Sequence, residues 1–228
     1  MKSLDKFGLY CEINKIRARF GINISHYPIK IIDFIGKRMP RIRIGDQPFF
    51  TKGLHGMAVL GGDMDFIILN SHRDEYERNF DCSHEFMHTE LHRDGPSVTF
   101  NCFSEARPNQ DSYIEWQANE GAAEFLVPSW ALLPLIKANR QCLDSYEGIY
   151  ELKKALAEYF FVTPMVIEKR LESLKYEIQQ HLSGIPLEFI KVLSLSQQRQ
   201  RGIQIESIND VQWRLLPFDD FMDESWGQ

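Results

Sequence analysis

In His84-Glu85-Phe86-Met87-His88, two imidazoles stand four residues apart with a carboxylate beside the first. No other stretch constrains the chain as much. Residues four apart lie on one face of an α-helix, one turn from each other, so both rings can share one metal ion. Glu85, about 100° around the same helix, reaches an attacking water without being a ligand, which is the geometry of general-base hydrolysis. The stretch from Asp74 through His92 is therefore predicted to be a helix, with Phe80, Met87 and Leu91 at its apolar positions.

A catalytic zinc usually takes three protein ligands and a water, so a third ligand must come from another element. A second helix is predicted from about Ser112 to Val127, ended by Pro128 and Ser129, and it offers Glu115, Glu120 and Glu124. Glu115 shares its stripe with Ala118, Asn119, Ala122 and Ala123, small side chains that let this helix approach the histidine helix closely. Glu120 and Glu124 point elsewhere. Read alone, Glu115 is also a helix-start carboxylate favoured by the helix dipole. His92, one turn beyond His88, is either a partner behind the ligands or a histidine suited to a helix C-terminus.

The rest of the chain supplies a framework. Residues 5–20 and 29–35 read as helices, and Arg41 to Ile44 alternates as a strand. The runs Gly56–Leu60 and Met64–Asn70 flank Gly61-Gly62-Asp63 as a hairpin. The polar stretch with Gly95, Pro96, Arg107, Pro108 and Asn109 reads as a loop, and Cys102 lies in it. Beyond the second helix, Tyr146–Phe160 and Pro164–His181 read as a helical hairpin with Thr163 as N-cap. In the tail, Ile203-Gln204-Ile205 reads as a strand, ahead of an acidic end in Asp219, Asp220, Asp223 and Glu224.

At 228 residues, with 43% hydrophobic and 25% charged residues, the chain can bury a real core. A net charge of −6 argues against broad attachment to nucleic acid. In the helical hairpin, Lys153, Lys154, Lys169, Arg170 and Lys175 are matched by Glu147, Glu151, Glu158, Glu168 and Glu172, so a contact with a protein partner or with the main body is expected rather than with DNA. Cys11, Cys82, Cys102 and Cys142 show no paired metal spacing and read as free thiols. The start of the chain lacks the apolar run of a signal peptide, and no stretch approaches the ~20 apolar residues of a membrane span. A cytoplasmic location is expected.

Residues 78–92 resemble the active helix of the ImmA/IrrE family of metallopeptidases, and residues 115–128 its glutamate helix. Residues 156–174 resemble the helical segment that commonly follows. The sequence departs from the family pattern at Phe86-Met87, where a small residue commonly precedes the second histidine, and at Gly121 in a helix interior. The resemblance implies one zinc held by His84, His88 and Glu115, with Glu85 as base, and a regulatory protein such as a phage-type, helix-turn-helix repressor as substrate.

The expected fold is thus α+β: a zincin-like metallopeptidase core over residues 1–135 with a small, mainly antiparallel sheet, a helical hairpin over 136–182, and a tail over 183–228. Tyr113, His72 and Arg107 are the candidate donors to a developing oxyanion. The substrate strand is expected along the exposed edge of the sheet that contains Phe66 to Asn70. The competing expectation is a zinc-stabilised module that sequesters a partner without cutting it, against which the placed carboxylate of Glu85 argues.

Overall fold

The computed structural model describes residues 4–93, 98–103 and 110–216. The chain divides into two compact units, one of Met1–Pro128 with Tyr159–Thr163, the other of Ser129–Glu158 with Pro164–Gln228. The fold is α+β.

The first unit holds helices α1 (Lys6–Arg19) and α2 (Ile31–Arg38), strands β1 (Ile42–Gln47), β2 (Leu54–Leu60) and β3 (Asp65–Asn70), helix α3 (Glu75–Leu91), strand β4 (Val98–Phe103) and helix α4 (Ser112–Leu126). The strands form one mixed sheet in the order β1-β3-β2-β4, with β1 parallel to β3 and the other two pairings antiparallel. Burial alternates along β2 and β3, with Leu54, Gly56, Ala58 and Leu60, then Asp65, Ile67 and Leu69, on the inner face. That period of two is the signature of a sheet covered on one side, and α3 covers it, in contact with β2, β3 and β4.

At the β2–β3 turn a side chain on Gly61 would meet the carbonyl of Met64 at 2.5 Å, so glycine is required there. Arg93 and Arg41 pair with the buried carboxylate of Asp65, which also accepts the Gly61 N–H.

Helix α3 starts where its sequence says it should. Asp74 accepts from the Glu77 N–H while Glu77 accepts from the Asp74 N–H, a reciprocal capping box. From Asp81 to Thr89 every residue is buried, because the helix lies between the sheet and the helices α2 and α4. Asn79 ties neighbouring segments to it, accepting from the Ile31 N–H and donating to the carbonyls of Ile29 and Phe161.

Two expectations are corrected in this unit. The stretch expected as a loop between the helices contains β4, and Cys102 lies on that strand, buried. Strand β3, which carries Phe66 to Asn70, is interior to the sheet and has no free edge; the edges belong to β1 and β4.

The second unit contains α5 (Ser129–Ala138), α6 (Tyr146–Phe160) up to Glu158, α7 (Pro164–Ser173), α8 (Lys175–Leu182), α9 (Leu195–Gln200) and α10 (Ile208–Arg214). Pro128 and Ser129 stop α4, as expected, but they also start α5. The helix expected over Pro164–His181 breaks at Leu174 into α7 and α8. Ile203-Gln204-Ile205 is not a strand. The tail packs back on the pair, since α10 contacts α7 and the Lys153 ammonium donates to Gln212 of α10 and Glu168 of α7. The acidic end of the tail lies outside the described residues. No helix among the described residues is long and apolar enough to cross a membrane.

Candidate metal centre

The facing helices α3 and α4 bring His84, His88 and Glu115 together. The Nε2 atoms of His84 and His88 stand 3.1 Å apart, and the Glu115 carboxylate lies 3.3 Å from the first and 3.7 Å from the second. Both rings are buried, while Glu115 is 13% exposed. The other glutamates of α4 are engaged elsewhere, Glu120 accepting from the Tyr10 hydroxyl and Glu124 pairing with Arg17.

The protons on these rings can be placed from their partners. Asn119 donates its amide N–H to the Glu115 carbonyl, which leaves its Oδ1 to face His84 Nδ1 at 3.1 Å. An amide oxygen only accepts, so His84 carries its proton on Nδ1 and its Nε2 is bare. That bare nitrogen and the Glu115 carboxylate, two acceptors at 3.3 Å, repel unless a cation or proton lies between them. His88 is held well below the usual histidine range, first by burial and then by His84 and His92, so it stays neutral, the form in which imidazole binds a metal. The Phe100 ring of β4 stacks on His88 at 4.2 Å between centroids and 11° between planes, fixing its orientation. The donor set therefore fits a divalent metal that accepts two imidazoles and a carboxylate.

Glu85 lies beneath this group, 0% exposed. A Cβ on Gly56 would come within 3.0 Å of its Oε1, so β2 has a glycine where the carboxyl needs space. Burial first, then the charges of Glu115 and Asp81, push its pKa well above the usual carboxylate range; the backbone N–H groups of Cys102 and Ala58 oppose this shift. Those N–H groups face the carboxyl without meeting the geometry of a full hydrogen bond, so neither oxygen of Glu85 has a well-formed partner among the described residues. A buried, unpartnered carboxyl beside the histidines is a second sign that the site is built for a positive charge.

Two further groups of ligand-type side chains, His55 with Asp81 and Cys102, and His84 with Glu85 and Cys102, have ligand atoms within 4.8 Å of one another. In the first, Asp81 is already paired with Arg73. In the second, burial and nearby carboxylates raise the Cys102 thiol well above its ordinary value and keep it protonated. Cys82 is fully buried in the core.

The candidate oxyanion donors are placed less favourably. The Tyr113 hydroxyl donates to the Leu4 carbonyl at 2.5 Å and its ring stacks on Trp116, so its proton is committed. His72 is exposed, edge-on to Phe50. Arg107 lies outside the described residues. His92 is not a solvent-facing helix end: it is buried, with its Nδ1 2.9 Å from His88 Nδ1 and its Nε2 2.8 Å from Gln117 Oε1.

Sequence reasoning passed over Gly56, Phe100 and Gln117 as parts of the site. Only Asn119 carried a readable signal, four residues after Glu115 on the same helical stripe.

Residues 42–172 match the family model Peptidase_M78, the IrrE N-terminal-like domain. A protein of Bacillus phage phi105, described as "uncharacterized immunity region protein 2", is 34% identical over 67 residues, which cover 29% of this chain and 40% of that protein. The chain thus spans about two fifths of the length of that curated relative. Both helices of the site fall inside the matched region, and the chain belongs to the IrrE N-terminal-like family of peptidases.

Proposed function

We propose that this protein is a zinc metalloendopeptidase in which His84, His88 and Glu115 hold one zinc and Glu85 is the general base. The observation that carries the reading is the convergence of the His84 and His88 Nε2 atoms and the Glu115 carboxylate within 3.7 Å, with Glu85 buried and unpartnered beside them. Zinc bound there supplies a Lewis acid that lowers the pKa of a water toward ~7. Glu85 takes a proton from the attacking water and returns one to the leaving amine. Asn119 and Phe100 keep the two rings oriented.

The substrate enters as an added strand on β4, the sheet edge whose Phe100 and Cys102 flank the site; this replaces the edge expected from sequence. A regulatory protein, such as a helix-turn-helix repressor of a phage or mobile element, is the substrate class we favour. The relative named for a phage immunity region supports that choice.

The test captures partners on the Glu85→Gln protein and follows their cleavage by the wild type. Glu85→Gln is expected to keep fold and zinc and to lose cleavage by a factor of order 10² or more. Equal cleavage by both proteins removes Glu85 from the role. Tight binding with cleavage by neither supports sequestration instead.

A further inference from the structure

We infer that Gln110 occupies the backbone acceptor of β4 to which a substrate strand bonds, so that substrate enters this edge by displacing a side chain of the protein itself. The inference rests on the reading of β4 as the strand that receives substrate.

In an antiparallel ladder the N–H and C=O of one residue face the same neighbour, and successive residues face opposite ways. Phe100 pairs with Ala58 and Cys102 with Gly56. The Cys102 N–H is turned toward the Glu85 carboxyl, which lies against Gly56 of β2, so Cys102 faces into the sheet. Asn101, next to it, faces out. Its carbonyl accordingly accepts from the Gln110 side-chain amide at 2.6 Å, a donor that belongs to no strand. On one side of Asn101 is the residue whose ring stacks on His88, and on the other the residue whose N–H faces Glu85. The Asn101 carbonyl is thus the edge acceptor beside the candidate metal centre.

An open strand edge invites any extended chain, and folded proteins guard such edges. Gln110 is suited to that role. Only the nitrogen of its amide donates, so the bond to a carbonyl decides which end of the amide meets the strand. It directly precedes Asp111, whose carboxylate accepts from the Tyr113 and Ile114 N–H groups at the start of α4. The helix that brings Glu115 therefore also anchors the cap. A side-chain amide N–H has the donor chemistry of a peptide N–H, so an incoming strand exchanges one amide–carbonyl bond for another. The cap costs substrate a few-fold in affinity and does not close the site. It also sets a requirement, because the substrate residue that meets this carbonyl must bring an N–H of its own, which proline lacks.

The experiment uses the full chain carrying Glu85→Gln, supplied with zinc, and fluorescein-labelled β-casein as an unfolded probe. Fluorescence anisotropy compares Gln110 with Gln110→Ala and with Gln110→Met, which keeps length and loses the donor. Both substitutions are expected to tighten binding about 3–10-fold. Casein is also expected to slow hydrogen exchange of the Thr99 and Asn101 N–H groups, which face the same edge. Unchanged or weaker binding by both variants overturns the proposal and marks Gln110 as a structural tie between β4 and α4. Tightening by Gln110→Ala alone overturns it as well, since bulk rather than the bond would then guard the edge. Casein that binds without protecting Thr99 and Asn101 refutes the reading of β4 itself, which the exchange data thereby test separately from the cap.

Discussion

The carboxyl of Glu85 and the backbone of Gly56 share one small volume, in which a methyl group would sit 3.0 Å from Oε1. Gly56→Ala is therefore expected to displace the base while leaving the histidines in place. Zinc content should hold and kcat should fall by about 10-fold or more, in keeping with what misplacement of order 1 Å does to a catalytic group; a variant as active as wild type would show that the carboxyl adapts. Asp81, one helical turn before Glu85, has its pKa raised by burial to about 6, although Arg73 beside it pulls the other way. The folded protein holds that proton more tightly than the unfolded chain. The resulting stability is full below about pH 4 and is lost as pH rises through about 6, a difference on the order of 3 kcal/mol. Urea midpoints of metal-free wild type should thus decline relative to Asp81→Asn between pH 4.5 and 7.5, and parallel curves would remove Asp81 as the cause. At this scale the side chains that converge, His84, His88 and Glu115, could be picked out from sequence because their spacing is itself the signal. Gly56 was not readable, because it matters through one contact with a residue distant in the chain.

Helices α3 and α4 meet where Met87 of one faces Gly121 of the other. A Cβ on Gly121 would lie 3.2 Å from the Met87 Cγ and Sδ and 3.3 Å from Ile13 Cδ1, so the glycine accommodates the large side chain that precedes the second histidine. Gly121→Ala alone sets a helix gain of ~1 kcal/mol against overpacking of ~1–3 kcal/mol. In a Met87→Ala background only the Ile13 contact still opposes the gain. A double-mutant cycle on unfolding free energy is expected to give a coupling of about 1 kcal/mol or more, and additive effects would separate the two positions. The start of α3 at Asp74 and the turn at Gly61 were legible because their signals are local. Strand β4 was not, since six residues flanked by glycine, proline and polar residues look like loop until β2 is there to pair with them. Ser129 was read as a stop because proline and serine mark helix starts as well as ends. The break at Leu174 has no glycine or proline to announce it. Alternation at residues 203–205 failed as a strand because no neighbouring strand pairs with it.

At the scale of the whole molecule, a segment of five residues does disproportionate work. Tyr159–Thr163 belongs with the unit that carries the candidate metal centre, although the helices on either side of it belong to the other. Phe160 is fully buried, edge-on to Tyr27, and Phe161 packs against Tyr76 while its carbonyl accepts from Asn79. The aromatic run Tyr159-Phe160-Phe161 is thus largely spent within this unit, leaving Tyr159 as its exposed member. Phe160→Ala is expected to lower the stability of the first unit by ~3–5 kcal/mol, read by urea denaturation. A loss within 1 kcal/mol would mean the segment is merely resting there. Lys153 and Arg170, two of the basic residues of the helical pair, are buried and unavailable to phosphates, which strengthens the charge argument against a DNA-reading role.

The same segment sets an order of events during synthesis. The first unit does not hold all its parts when α4 leaves the ribosome; it waits for about 35 further residues, through Thr163, which at ~5–20 residues per second takes some seconds. Over that interval the faces of Tyr27, Tyr76 and Asn79 that later receive Phe160 and Phe161 are uncovered. A nascent chain arrested before Tyr159 should consequently be more open to protease in this unit than one arrested well beyond Thr163.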